Sequence, residues 1–127
     1  SENDPDLASR YLEVCKRWWP GCVIYARAGG RVVARSSRAG VTAWPEVFAD
    51  RGYNNDGTLV PRDEPWAVIN DVTTVLERVR LVKSSGQLSA RSGRLLPFSA
   101  RTICLHSDTE NAPVLARNVR RMLERAG

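Results

Sequence analysis

Helical and strand-like stretches alternate along this chain, and the alternation predicts an α/β protein built from parallel βα units with flanking helices and one β-hairpin. Three short runs rich in β-branched, aromatic and other apolar residues, at 22–28, 41–49 and 101–106, read as strands. Helical periodicities separate them. Glycine, proline or a capping residue marks most of the transitions.

Asp4-Pro5 reads as an N-cap followed by proline at the first helical position. Leu7, Tyr11, Val14, Cys15 and Trp18 then repeat at helical spacing, and Pro20-Gly21 stops the helix. Cys22 to Ala28 reads as a buried strand, broken by Gly29-Gly30. Residues 31–39 form a short helix with Val32, Val33 and Ala39 available to face inward and Gly40 as its C-cap. The second strand covers Val41 to Ala49, with its regular part placed after Pro45, because proline cannot donate to a ladder.

A polar stretch follows, from Asp50 to about Asn70. Structureless loops of roughly this size are uncommon in compact domains and are usually functional. Ala67, Val68 and Ile69 within it should dock on the body. Asp71 caps the next helix, whose inward face is Val72, Val75, Leu76, Val79 and Val82, and Ser84-Ser85-Gly86 ends it. Gln87 to Ala100 reads as a hairpin around Ser92-Gly93. Arg101 to His106 is a third buried strand. Ser107, Asp108 and Thr109 offer caps to a last helix with the core face Ala112, Leu115, Ala116, Val119, Met122 and Leu123. Three core strands are too few to close a barrel, which needs roughly 250 residues in its eight-stranded form.

The 127 residues suit one domain, and 43% hydrophobic with 26% charged residues is an ordinary globular balance. No apolar run has the length of a membrane span or the pattern of a signal peptide, so a cytoplasmic setting is expected. Three cysteines, Cys15, Cys22 and Cys104, fit a reducing compartment. With no CxxC spacing and one histidine, a zinc site from this chain alone is not expected. The net charge of +5 comes with arginines spread along the chain and no nucleic-acid motif, so it reads as a solvated surface rather than a nucleic-acid interface.

In parallel α/β architectures the sites lie at the C-terminal ends of strands. Two such ends are polar here: Glu46 through Asp50, Arg51 and Tyr53, and His106-Ser107-Asp108-Thr109. His106 is suited to general acid–base work near neutral pH. Asp50 or Asp108 can orient it or act as the base. Arg51 or Arg62 can grip a carboxylate bidentately. The start of the last helix, after Thr109, can cradle an anion. Each residue also has a bland role: a structural histidine, helix caps, or an Asp50–Arg51 surface pair worth under about 1 kcal/mol.

The segment EVFADRGYNNDGTLVPR, with PWAVIND after it and RTICLHSDT later, resembles the C-terminal half of the LamB/YcsF family, to which the A-type component of 5-oxoprolinase belongs. The resemblance runs from about Pro45 to Gly127 and more weakly through residues 4–44. It implies a partial (β/α) barrel-like parallel sheet, in a fold whose complete form is roughly twice this length. It further implies ATP-dependent opening of the lactam of 5-oxo-L-proline to L-glutamate, carried out with partner subunits. The site residues it implies are Glu46, Asp50, His106 and Asp108 for catalysis, with Arg51, Tyr53 and Arg62 for substrate binding; no metal is implied. Three positions depart from the family pattern. Trp66 stands where glycine is usual, Asn70 where histidine is, and Ser107 where glycine is. Asn70 cannot titrate. The family's N-terminal motifs have no counterpart here. The expectation is therefore one half of a site, an isolated chain without activity, and self-association or a complementing half. The competing expectation is a catalytically incomplete remnant that serves assembly.

Overall fold

A computed structural model describes residues 5–108 and 110–125, with the side chain of Pro5 outside that description. The elements follow the predicted order: α1 (Pro5–Trp18), β1 (Val23–Arg27), α2 (Arg31–Ala39), β2 (Thr42–Phe48), α3 (Val72–Ser85), β3 (Gln87–Ser89), β4 (Leu95–Pro97), β5 (Thr102–Cys104) and α4 (Ala112–Arg125). A three-stranded sheet has the order β1-β2-β5, and β3-β4 is a separate antiparallel hairpin. The β1–β2 pair is parallel, with Val23 opposite Thr42 and Arg27 opposite Glu46. The architecture is α/β: a parallel sheet with flanking helices. The chain divides into two compact units, Ser1–Val47 with Ser99–Thr102, and Phe48–Phe98 with Ile103–Gly127.

In the first unit Ala8, Leu12, Cys15, Val32 and Val41 form the core, with Ile24, Ala26 and Ala39 packed against them. The buried stripe of α1 is therefore Ala8–Leu12–Cys15; of the expected face Leu7, Tyr11, Val14, Cys15 and Trp18, Cys15 is buried and the other four are 45–64% exposed. Both stripes satisfy a helical period, and the tertiary partner selects the one with smaller residues at its end. β1 is likewise less buried than expected. Ile24 and Ala26 pack on the core while Val23 and Tyr25 remain exposed. α2 ends as predicted, with Gly40 in the left-handed conformation. β2 runs straight through Pro45 rather than starting after it. The proline only accepts there, its carbonyl taking the Arg101 N–H at 2.8 Å.

In the second unit Ala49, Val75, Val79, Leu115 and Val119 form the core, with Ile69, Val72, Leu76, Ile103, Leu105, Met122 and Leu123 against it. Asp71 caps α3 as expected, its carboxylate accepting from the N–H and hydroxyl of Thr74. These bonds hold the Asp71 carboxyl below its usual range. α4 begins at Ala112, with Asn111 just before it and the Leu115 N–H bonded to the Asn111 carbonyl. Ser107 and Asp108 thus lie too early to cap it, and Ala116 is exposed rather than in the core face. The expected roles of Asp4 and Thr109, as caps and as an anion cradle, lie outside the described residues. β5 is three residues long and only partly buried, shorter than the expected strand.

The candidate active site around Asp50 and His106

β2 ends at Phe48, and the chain then enters a segment without helix or strand until α3. Its first residues are not a solvated loop. Ala49, Asp50, Arg51, Gly52 and Tyr53 are all buried. Isolated bridges pair Arg51 with Val68 and Tyr53 with Leu59, and Ile69 donates to the Asp50 carbonyl at 2.8 Å. The segment folds back on itself in this way; of the expected docking trio Ala67 is 1% exposed and Ile69 packs on the core, while Val68 stays 41% exposed.

Gly52 makes that fold possible. A Cβ at this position would collide with the carbonyl oxygen of Trp66. Trp66 adopts φ +70, alone among the described non-glycine residues, and its side chain is 72% exposed. A bulky residue in the left-handed region is strained. Trp66 and Gly52 face each other at the point where the segment's two limbs pinch together.

The carboxylate of Asp50 is the centre of the site. It is almost completely buried, and both oxygens are used within the second unit. Oδ2 accepts the backbone N–H of His106 at 2.7 Å, and Oδ1 lies 2.9 Å from His106 Nδ1. A carboxylate so placed selects the Nδ1–H tautomer of the neutral ring and directs Nε2 away from itself. Phe48 stacks against the imidazole, with ring centres 5.6 Å apart. Asp50, Arg51, Arg62, Val68, His106 and Asp108 line a cavity of about 180 Å³.

Two arginines border that cavity. Arg51 is buried; its Nε donates to the Ala67 carbonyl and its Nη2 to that of Val60, both at 2.9 Å. Burial, and then the nearby Arg62 guanidinium, lower its pKa. Arg62 is half exposed and donates to Asp108 Oδ2 at 2.9 Å. This bond holds the Asp108 carboxyl below the usual carboxylate range. Arg62 is thus already gripping a carboxylate at the cavity edge. A ligand carboxylate there would take the place of Asp108.

Two of the seven expected site residues are placed elsewhere. Glu46 belongs to the first unit, and its carboxylate accepts from the Thr102 hydroxyl at 2.9 Å. Tyr53 is 0% exposed; its hydroxyl accepts the Phe48 N–H at 3.0 Å and its ring lies 4.9 Å from that of Phe98. In this position it braces the loop and has no face open to a substrate, in contrast to the expected binding role. The other five, Asp50, Arg51, Arg62, His106 and Asp108, line the same cavity.

Arg78 escaped the sequence reading. It sits in the middle of α3, between Val75 and Val79 of the core face, where an arginine reads as a surface residue. Instead it is buried, with its guanidinium among main-chain carbonyls. Nε donates to Ala49 at 2.9 Å, Nη2 to Arg51 at 2.6 Å and Phe48 at 3.3 Å, and Nη1 to Ser89 at 3.3 Å. The one available signal was positional: a charge inside an otherwise apolar helix stripe.

A cavity of about 180 Å³ is smaller than the ~300 Å³ at which drug-sized ligands begin to fit.

The LamB/YcsF family matches the whole chain, residues 1–127. The A-type 5-oxoprolinase subunit of Coprothermobacter proteolyticus is 39% identical over 121 residues, covering 95% of this chain and 46% of that protein. The protein of the same name from Heliobacterium modesticaldum is 40% identical over 124 residues, 98% of this chain and 49% of its own length. Among solved structures, the lactam utilization protein from Thermus thermophilus superimposes with a TM-score of 0.86 at 30% identity, covering 99% of this chain and 50% of that one. The chain therefore spans about half the length of the relatives it matches.

Proposed function

The chain belongs to the LamB/YcsF family, and from that premise we propose that it supplies part of the lactam site of a 5-oxoprolinase, the assembly that hydrolyses 5-oxo-L-proline to L-glutamate. The observation that carries this reading is the buried Asp50 carboxylate holding His106 at the wall of a small cavity that two arginines border. Names of relatives at about 40% identity support the substrate class.

Each residue has a role that its contacts suit. Asp50 fixes the tautomer of His106 with Nε2 unprotonated, so the outward Nε2 can take a proton from the attacking water and then pass it to the lactam nitrogen as the ring opens. Arg62 exchanges Asp108 for the substrate carboxylate. Arg51 has two of its nitrogens fixed on carbonyls, and its buried charge supports the negative charge that develops on the lactam oxygen. Amide hydrolysis by this route requires activation of the carbonyl, and the family relationship supports ATP as its source. The nucleotide is proposed to lie outside this cavity of about 180 Å³, with the partner subunits that handle it. The three free cysteines are in keeping with a cytoplasmic setting, and no helix among the described residues is long and apolar enough to cross a membrane.

A second reading, assembly without chemistry, draws on the first unit. Tyr25 stacks on Trp44 at 5.8 Å, and the Arg101 guanidinium lies 4.2 Å from the Trp44 ring centre. Tyr25 is 58% exposed, whereas the alternate residues Ile24 and Ala26 pack on the core. Parallel sheets normally have both faces covered. A polypeptide equivalent to the unmatched half of the relatives would cover this face, and self-association is the competing way to do so.

The two readings separate in one assay. Glutamate formed from 5-oxo-L-proline and ATP is followed for the chain alone, with candidate partner subunits, and with a polypeptide carrying the relatives' unmatched half. Activity in a mixture, abolished by His106→Ala, is expected. Complex formation with no glutamate would leave assembly as the function. Glutamate formation undiminished by His106→Ala would remove the histidine from the chemistry.

A further inference from the structure

We propose that Arg78 is the positioning residue of the site: its guanidinium clamps the backbone on both sides of Asp50 and so holds the carboxylate in register with His106. The role of the pair in lactam opening rests on the function proposed above, but the clamp itself does not.

The geometry is specific. Asp50 lies just beyond β2, where its carbonyl accepts from Ile69 at 2.8 Å and the Ala49 N–H donates to the Cys104 carbonyl at 3.1 Å. The carbonyls on either side of it are held in addition by one side chain. Arg78 donates to the carbonyls of Phe48 and Ala49 before Asp50 and to that of Arg51 after it, and Nη1 donates to Ser89 on β3. One planar fork thus ties α3, the hairpin and the end of β2 to each other. Four carbonyls point at one cation, and among the described residues no carboxylate bonds to it. A salt bridge would have taken the fork away from the backbone; the carbonyls use its directionality.

The register matters because Asp50 makes two bonds to one residue. Its oxygens meet the main-chain N–H and the ring nitrogen of His106 together, at 2.7 and 2.9 Å. A small rotation of the Asp50 backbone breaks one of them. Burial draws the Arg78 pKa down to about 10, against which Tyr53 and Asp50 favour its charged form. The cation therefore persists at neutral pH. The charged groups around His106 itself are Asp50, Arg51, Arg62 and Asp108. Arg78 acts on the ring only through Asp50.

Lysine retains the charge but cannot span four carbonyls, so Arg78→Lys isolates the clamp from the cation. His106 is the only histidine, so its ring nitrogens give one unambiguous pair of ¹⁵N signals. In the unaltered chain, at a pH where the ring is neutral, the Nδ1–H tautomer is expected. In Arg78→Lys the signals should move toward a mixture with Nε2–H, while the far-ultraviolet circular dichroism stays unchanged. A folded Arg78→Lys chain with the wild-type tautomer would overturn the proposal. Should that variant not fold, Asp50→Asn is read from the other side. The Arg78 Nε–H signal is expected to shift with the loss of the Asp50 charge, while that of Arg35, bonded to Ser9 in the first unit, stays in place. An unmoved Arg78 signal would equally defeat the idea. Neither readout depends on lactam turnover, so a chain that proves inactive leaves the test intact.

Discussion

Asp50 holds His106 twice, by its main-chain N–H at 2.7 Å and by ring Nδ1 at 2.9 Å, across 56 positions of sequence. Double attachment fixes the ring's orientation as well as its tautomer. It leaves the unprotonated Nε2 as the nitrogen available to a ligand, which is the arrangement a general base needs before it can hand the proton on.

Asp50→Asn should leave the binding of lactam nearly unchanged in an assembled enzyme and lower kcat by about 10²–10⁴-fold, the range of a lost general acid–base function. Steady-state kinetics of glutamate release check this. A rise in KM at constant kcat would instead place Asp50 in uniform substrate binding.

Arg62→Met removes the exposed grip on Asp108. Stability should change little, since exposed pairs contribute only ~0–1 kcal/mol. KM for 5-oxo-L-proline should rise by about tenfold or more, in keeping with a charge-assisted contact of ~1.5–3 kcal/mol. Denaturant midpoints and initial rates separate the two effects.

The pinch between Gly52 and Trp66 yields a pair of opposite outcomes. Trp66→Gly relieves a left-handed residue whose side chain is mostly exposed, and should stabilise the chain by about 1 kcal/mol. Gly52→Ala forces a methyl group against the Trp66 carbonyl and should cost about 2 kcal/mol or more. Thermal melts of both variants give the signs directly.

Asp71 sets one arm of the acid stability. Its folded-state pKa is depressed by the Thr74 bonds, so its contribution is fully present above the unfolded value of about 3.9 and is lost as pH falls through the lower folded value. In Asp71→Ala the fall of Tm as the pH drops below about 4 should be shallower than in the unaltered chain. Melts over a pH series test the sign.

The order of elements, the C-caps at Gly40 and Gly86, the Asp71 cap and the hairpin at Ser92-Gly93 were all legible, because each depends on residues within one or two turns of chain. Asp50, Arg51, Arg62, His106 and Asp108 were legible as candidates because polar residues at strand ends stand out against apolar strands. Their grouping was not. Nothing in local spacing distinguishes Asp50, which reaches His106, from Glu46, which is spent on Thr102, or from Tyr53, which is buried whole.

Sequence by itself determined the α/β alternation, the family and the chemical types available for a site. Tertiary structure decided which stripe of α1 faces inward, that β2 passes through Pro45, and that Arg78 turns into the interior. These outcomes share a physical cause. Local propensity is set by neighbours in the chain, whereas burial and long-range hydrogen bonds are set by which surfaces meet. Arg78 is the clearest case. Read alone it is a solvated charge on a helix, and only the convergence of the Phe48, Ala49, Arg51 and Ser89 carbonyls offsets the cost of its burial.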